Sequence, residues 1–212
     1  MPRGELRTEL IACLRQARKS RRLRARGADR RSTIPNMVSI QMRPPEIDDR
    51  VMPGHWEGDQ IKGARTASTV GTLVERSTLF VALAKMDHAT AAAAVTGLET
   101  VLNRSNAQRH LSLTYDRGRE IAQPERLAGM TGIKVYFAAL HSPWQGGSNE
   151  NTNGLLRRYF PNGTNLYGFT DIELDNIAWQ LHTCPRKSLG CKCPAEPLLR
   201  DSLVFFQIPI NS

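Results

Sequence analysis

The sequence predicts an α/β domain in which about five strands are flanked by helices. Three apolar, β-branched segments follow one another between residues 56 and 85. Beyond them, segments with helical periodicity alternate with short apolar segments, which is typical of α/β domains. The chain has 212 residues, which is enough for one such domain and an arm.

The first segment, residues 56–62, is predicted to be a strand that ends at Gly63. Side chains alternate between the two faces of a strand, so Glu57 and Asp59 are predicted to point to the same side. Residues 69–75 and 79–85 are predicted to pair as a hairpin, because a turn-like Arg-Ser-Thr separates them. Three antiparallel strands would then open the domain.

The remaining elements are predicted from their periodicity. An alanine-rich helix over residues 90–102 is predicted to begin with Thr90 as its cap. Between this helix and the end of the domain we predict a strand at 111–115, a helix at 124–130, a strand at 134–138 and an amphipathic helix at 171–181. The apolar face of that last helix comprises Ile172, Leu174, Ile177, Ala178 and Leu181.

The first 52 residues are predicted to be a basic arm, followed by a core domain over residues 53–199 and a tail over residues 200–212. The net charge is +9, and residues 1–50 hold 13 Lys and Arg against 6 Asp and Glu. The arm is predicted to contain an N-terminal helix and an extended connector over residues 20–52. Such a basic run can bind DNA phosphates, although a solvated basic linker has the same composition. The candidate DNA-binding residues of the arm are Arg21, Arg22, Arg24 and Arg26.

No segment reaches the roughly 18 apolar residues of a membrane span, and no apolar signal core begins the chain. We therefore expect a cytoplasmic protein with no membrane partner. In that compartment the cysteines are expected to be free thiols. A cluster near the C-terminus could suggest zinc, but its spacing departs from that of usual zinc ligands. The cluster consists of His182, Cys184, Cys191 and Cys193.

The most informative segment spans residues 141–161, HSPWQGGSNENTNGLLRRYFP. A helix that starts at Glu150 would carry Asn153, Gly154 and Arg157 on the side of that glutamate. The opposite side is apolar and predicted to be buried. Its residues are Leu155, Leu156, Tyr159 and Phe160, and the predicted boundaries are Gly146 and Gly147 before the helix, Ser148 or Asn149 as its cap and Pro161 after it.

Two further carboxylates lie upstream of Glu150, namely Asp59 and Asp116. There are 33 residues between Asp116 and Glu150, and a basic residue, Arg157, lies seven positions after the glutamate. This Asp, Asp, Glu pattern resembles that of DDE transposases and integrases. The segments HWEGDQIKG, TLVERST, YDRGREIA and HSPWQGGSNENTNGLLRRYFPNGT resemble the catalytic domain of the IS-thirty family of bacterial insertion-sequence transposases. The resemblance runs from about residue 2 to residue 198.

The resemblance implies a ribonuclease-H-like fold, a mixed five-stranded sheet in which the first and fourth strands are neighbours. It implies that Asp59, Asp116 and Glu150 are catalytic and hold two Mg²⁺ ions, or Mn²⁺ as a substitute, with Asp59 bridging both. It also implies that Arg157 contacts the DNA backbone, while an exposed helix cation is the alternative for that residue. Arg158 is a further candidate DNA contact. Asn149, Asn151 and Asn153 could orient ligands, contact DNA or cap the helix.

The function implied is Mg²⁺-dependent DNA strand cleavage and strand transfer during transposition, by in-line transesterification. The implied partners are transposon ends and target DNA, bound by a homo-oligomer. Relatives carry helix-turn-helix modules ahead of this region, so recognition of transposon ends is expected to be missing here. Two alternatives stand beside this hypothesis: a truncated, non-catalytic DNA-binding regulator of a full-length transposase, and a ribonuclease-H-like nuclease with other substrates.

Overall fold

The computed structural model describes residues 36–64, 68–86, 88, 90–104, 110–115, 123–139 and 143–196. Within them, five strands form one sheet in the order β3-β2-β1-β4-β5. The sheet is mixed, since β1, β2 and β3 pair antiparallel while β4 and β5 run parallel to β1. The strands are β1 (His55–Lys62), β2 (Thr69–Glu75), β3 (Val81–Met86), β4 (Ser112–Tyr115) and β5 (Lys134–Phe137).

The predicted neighbourhood of the first and fourth strands is confirmed. In the register of β1 and β4, Gly58 lies opposite Tyr115. A Cβ atom at position 58 would lie 2.4 Å from Cδ2 of the Tyr115 ring, so only glycine leaves room for this ring. The carboxyl end of β4 is therefore packed closely against the middle of β1, beside Asp59.

In the described part of the chain, four α-helices cover the two faces of the sheet: α1 (Ala91–Asn103), α2 (Pro124–Thr131), α3 (Gly147–Leu156) and α4 (Asp171–His182). Apolar residues of α1 and α2 form one buried cluster with one face, including Trp56 and Leu113. Apolar residues of α3 and α4 form a second cluster with the other face, including Ile61 and Val74. Glu57 and Asp59 alternate with Trp56 along β1, so they point to the same side, as predicted, and this is the side of α3 and α4.

The starts of α1 and α4 are each stabilised by a local side-chain cap. Thr90 caps α1, because its hydroxyl accepts a hydrogen bond from Ala93 N at 3.2 Å, as predicted. Thr170 and Glu173 form a reciprocal capping box at the start of α4. The apolar face predicted for α4 is confirmed at its four later positions, whereas Ile172 is 56% exposed. At 3.6 residues per turn, Ile172 lies roughly 180° around the helix from the centre of these four positions, so its side chain points to solvent.

Residues 36–52 differ from the predicted extended connector. They contain two short 3-10 helices, Ile40–Met42 and Pro45–Asp49, whose Ile40 and Ile47 are buried. The amide of Phe137 donates a hydrogen bond to the carbonyl of Val38 at 2.9 Å, which holds this segment along β5. Two buried isoleucines and this hydrogen bond hold the segment against the domain. Hydrophobic periodicity could not predict this, because the segment contains few apolar residues. The boundary between arm and domain stays a prediction, because residues 1–35 lie outside the described residues.

None of the helices in the described part of the chain combines the length and apolar composition needed to cross a membrane. The predicted N-terminal helix, the arginines Arg21, Arg22, Arg24 and Arg26, and the tail from residue 197 onward all lie outside the described residues.

Candidate active site

Asp59 is held on β1 with its carboxylate only half-buried. Its Oδ2 accepts a hydrogen bond from Asn153 Nδ2 at 2.8 Å, and its Oδ1 accepts one from the amide of Gln60 at 2.7 Å. Asn153 belongs to α3, so this contact joins the strand that carries one predicted catalytic residue to the helix that carries another. Both of these donors are neutral N–H groups.

Helix α3 is fixed to the sheet by Asn149, which is only 2% exposed. Its Nδ2 donates to the carbonyl oxygens of Glu57 at 3.0 Å and Thr72 at 3.2 Å, and its Oδ1 lies 2.9 Å from Thr72 Oγ1. Its backbone amide donates to Glu57 Oε2 at 3.1 Å. The side chain therefore uses both its donors and its acceptor to bind two strands, and the first turn of α3 cannot slide along β1 without breaking these bonds.

The predicted start of this helix was wrong by three residues. Helix α3 begins at Gly147 with Gly146 as its N-cap, and no side chain caps it. Ser148 and Asn149, the predicted caps, are buried instead. Asparagine before a helix usually indicates a cap, and the sequence carries no sign that β1 and β2 would satisfy this one. The buried apolar side is confirmed at Leu155, Leu156 and Phe160, while Tyr159 is half-buried.

Glu150 lies in the first turn of α3 and is exposed. It precedes Asn153 by three positions, so the two side chains are neighbours on one side of the helix. Asn153 contacts Asp59, so Glu150 lies about one helical turn before the residue that makes this contact. Asp116 follows Tyr115, the last residue of β4, but lies outside the described residues. Within the described residues, no three His, Cys, Asp or Glu side chains are grouped closely enough to hold a metal ion.

Glu57 occupies a different environment from Asp59, two residues away on the same face. It is 1% exposed, and its Oε1 lies 3.3 Å from Nη1 of Arg76, which is itself 5% exposed. Burial lowers the pKa of Arg76, and the carboxylate of Glu57 opposes that shift. The two charges are thus paired in a dry region, where either alone would be strongly unfavourable. The sequence assigned Glu57 no role.

The predicted DNA contacts Arg157 and Arg158 differ in their surroundings. Arg157 Nη1 lies 3.3 Å from the carbonyl oxygens of Lys62 and Phe160, so it helps to close the end of α3 on β1. Arg158 is exposed. The DNA contacts of both residues stay predictions.

The C-terminal cluster of His182, Cys184, Cys191 and Cys193 does not converge on one point. His182 is buried against β3, with its ring stacked on Phe80 at a centroid distance of 3.9 Å. The thiols of Cys184 and Cys193 donate to the carbonyl oxygens of Gln180 and Thr183, each at 3.1 Å. Cys191 is an exposed free cysteine.

The fold is that of a ribonuclease-H-like integrase core. The catalytic core domain of BIV integrase superposes with a TM-score of 0.51 at 16% identity, covering 71% of this chain and 97% of that one. A chain from the simian T-cell lymphotropic virus intasome, solved in complex with PP2A regulatory subunit B56 gamma, superposes with a TM-score of 0.55 at 20% identity. That match covers 76% of this chain and 59% of the other. The predicted fold class is confirmed.

Sequence relatives are closer. The chain is 56% identical over 197 residues to the transposase of insertion sequence element IS1086 from Cupriavidus metallidurans, which is 93% of this chain and 58% of that protein. It is 39% identical over 187 residues to transposase InsI of element IS30A from Escherichia coli, which is 88% of this chain and 48% of that protein. No protein-family model matches. The chain is therefore homologous to insertion-sequence transposases of the IS30 kind, as the sequence motifs predicted, and it spans about half the length of these relatives.

Proposed function

We propose that this chain is the catalytic domain of a DDE-type transposase, which cleaves and transfers DNA strands by in-line displacement at a phosphodiester. The attacking oxygen forms its bond to phosphorus while the bond to the leaving oxygen breaks. The observation that carries the proposal is the 2.8 Å hydrogen bond from Asn153 to Asp59, because it joins β1 to the helix that bears Glu150. Homology to transposases supports DNA as the substrate.

The donor set fits a hard divalent cation. Asp59 and Glu150 offer carboxylate oxygens, and Asn153 Oδ1 is a buried oxygen that receives no hydrogen bond from the described residues. Oxygen ligands of this kind suit Mg²⁺ and Mn²⁺, whereas thiolate and imidazole ligands suit softer ions. Asp116 would complete the set, since it follows Tyr115, which pairs with the residue before Asp59.

Two Mg²⁺ ions held by Asp59, Asp116 and Glu150 would supply an activated oxygen nucleophile and stabilise the leaving oxygen. The chain itself sets the geometry. Asn153 fixes the orientation of the Asp59 carboxylate, and the bonds of Asn149 fix the position of α3 and hence of Glu150. Glu57 is neutralised by Arg76, so it adds little negative charge where a DNA phosphate would approach.

The test is Mg²⁺-dependent nicking and strand joining by wild type and by Glu150→Gln. Glu125 provides a matched control, because it is also an exposed glutamate in the first turn of a helix, α2, on the opposite face of the sheet. A glutamate in that position favours any helix through the macrodipole. We expect Glu150→Gln to abolish activity with DNA binding nearly intact, and Glu125→Gln to retain activity.

Nicking that survives Glu150→Gln would contradict the DDE assignment. DNA binding without nicking by wild type would instead favour the alternative of a non-catalytic regulator. Binding should also be salt-sensitive and nearly blind to sequence, because the candidate contacts are arginines suited to phosphates. A strong preference for transposon-end DNA over scrambled DNA would show that a base-reading element exists.

A further inference from the structure

An open cleft of about 410 Å³ lies beside the candidate active site. Three arginines line it, Arg43, Arg50 and Arg76, together with Asp48 and Gln145. The arginines come from two separate parts of the chain, the segment before β1 and the turn between β2 and β3. We call this site the arginine cleft.

The guanidinium groups are held in place from behind. Arg43 Nη1 donates to Thr114 Oγ1 at 2.8 Å, and Arg76 lies 3.3 Å from Glu57. The side chains of Arg43 and Arg76 are each 5% exposed, so both positive charges are fixed at the wall of the cleft. Arg50 is 44% exposed, and its Nη2 lies 4.0 Å from Glu57 Oε1.

Asp48 is the one acidic residue among the described residues that line the cleft. Its Oδ1 accepts hydrogen bonds from Arg43 and, at 3.1 Å, from Arg76. The side chain of Asp48 is 63% exposed, so it lies on the solvent side of the two buried arginines. A carboxylate oxygen already occupies the position that a phosphate oxygen would take, since both accept from guanidinium groups in the same way.

The electrostatics leave the cleft positive. Among the described residues of its lining, three arginines face one aspartate, and the buried Glu57 behind Arg76 lowers the sum of these formal charges to +1. In addition, Nε of Arg76 is buried and has no hydrogen-bond partner in the described residues. A buried donor without a partner is unfavourable. The negative charge of an anion in the cleft would stabilise this guanidinium group.

The cleft is close to the reacting centre and shares parts with it. Glu57 contacts Arg76 from one carboxylate oxygen and the backbone amide of Asn149 from the other. It lies two residues from Asp59, which is roughly 7 Å along a strand. Gln145 lies at the other border, two residues before α3 begins. An extended DNA strand that passes Asp59 would therefore reach the cleft within one or two nucleotides.

We infer that the arginine cleft binds a backbone phosphate of the DNA strand next to the phosphodiester that reacts at Asp59. This inference rests on the proposed function, because it takes DNA as the substrate. The cleft positions the strand through Arg43, Arg50 and Arg76, and it reads charge and spacing, not base sequence. Asp48 acts as a placeholder that keeps the two buried guanidinium groups oriented until the phosphate arrives.

The test measures binding of the full chain to a fluorescent 20-base-pair duplex of arbitrary sequence by anisotropy, over a range of KCl concentrations. Arg50→Gln removes a partly exposed charge and leaves the buried pair intact. Arg126→Gln is the matched control, since Arg126 is an exposed helical arginine on α2, across the sheet. We expect Arg50→Gln to lower affinity several-fold at low salt and to reduce the log–log salt slope by about 0.9, as loss of one phosphate contact predicts. Arg126→Gln should leave the slope unchanged.

Asp48→Asn gives a prediction of opposite sign. Removal of the negative charge should raise DNA affinity, because the phosphate no longer competes with a carboxylate. Equal slopes for Arg50→Gln, Arg126→Gln and wild type would overturn the inference, as would an Asp48→Asn variant that binds DNA more weakly than wild type. If wild type nicks DNA in a metal-dependent reaction and the slopes are equal, only the cleft is refuted. If wild type does not bind DNA at all, the proposed function fails as well.

Discussion

Two carboxylates on one face of β1, two residues apart, have opposite surroundings. Glu57 is 1% exposed and ion-paired to a buried arginine, whereas Asp59 is half-exposed and receives hydrogen bonds from neutral amide groups. The charge of Glu57 is already balanced inside the protein. Asp59 is partly exposed, so it is accessible to ligands from solvent. Residue type and spacing are alike, so burial and the nature of the partner separate a structural carboxylate from a candidate metal ligand.

The largest expected effect is on activity, at Asp59. Asp59→Asn keeps an oxygen that can accept the bond from Asn153 but removes the charge, so we expect Mg²⁺-dependent nicking to fall by roughly a thousandfold or more, about 4 kcal/mol of transition-state stabilisation. Denaturant unfolding should change little. A variant that nicks at the wild-type rate would show that the exposed carboxylate is not the functional one.

The complementary variant, Glu57→Gln, should act on stability. It removes the buried partner of Arg76 and, among the described residues, leaves only the exposed Asp48, so the loss should approach the value of about 3–5 kcal/mol that breaking a buried ion pair typically costs. Urea unfolding measures this loss. The double variant Glu57→Gln with Arg76→Met should recover part of it, because the buried charge is gone. If the single variant unfolds at the same urea concentration as wild type, the ion pair does not stabilise this end of the strand.

A variant of Asn153 tests the contact between α3 and Asp59 on β1. Asn153→Ala removes the bond to Asp59 and leaves the charges unchanged, so metal-dependent activity should drop by about tenfold to a hundredfold, which is typical of a group that orients a ligand. Asn153→Ser can partly restore a donor. The diagnostic readout is the Mg²⁺ concentration for half-maximal activity, which should rise; a lower maximal rate at an unchanged Mg²⁺ requirement would contradict a positioning role.

His182 tests burial without an ionic partner. Burial lowers its pKa from 6.5 to about 4, a bond to the backbone of Val81 opposes the shift, and Arg186 adds to it. The unfolded chain binds the proton more tightly, so stability should fall as the pH drops through 6.5 and go on falling until about 4. Between pH 7 and pH 5 this group should remove about 2 kcal/mol from the free energy of unfolding. In His182→Gln the loss between these two pH values should be smaller by that amount; an unchanged pH dependence would refute the assignment.

Much of the fold could be predicted from local pattern. The boundaries of β2 are those the sequence predicts, and Thr90 caps α1 as its position implies. The adjacency of β1 and β4 came only from the family resemblance, because periodicity gives elements and not their order in a sheet. The start of α3 was missed, since Gly146 and Gly147 suggested a break while tertiary contacts of Asn149 stabilise an earlier turn.

The site could be predicted only in part. Asp59 and Glu150 are candidates from spacing and motif, and the structure brings their elements together through the contact of Asn153 with Asp59, while their catalytic role stays a prediction. The sequence offered three asparagines as candidates to orient ligands, and the 2.8 Å contact of Asn153 with Asp59 distinguishes it from the others. The pairing of Glu57 with Arg76 could not be predicted. Glu57 lies near the start of β1 and Arg76 directly follows β2, so the two meet only when β1 and β2 pair.

The most direct test of the central claim is calorimetric titration of Mn²⁺ into the full chain, without DNA and without turnover. The account predicts binding to wild type and to Glu125→Gln with the same affinity, and binding weakened at least tenfold in both Asp59→Asn and Glu150→Gln. Mn²⁺ affinity that is unchanged in Asp59→Asn and Glu150→Gln would contradict it, because the metal would then lie elsewhere than between β1 and α3.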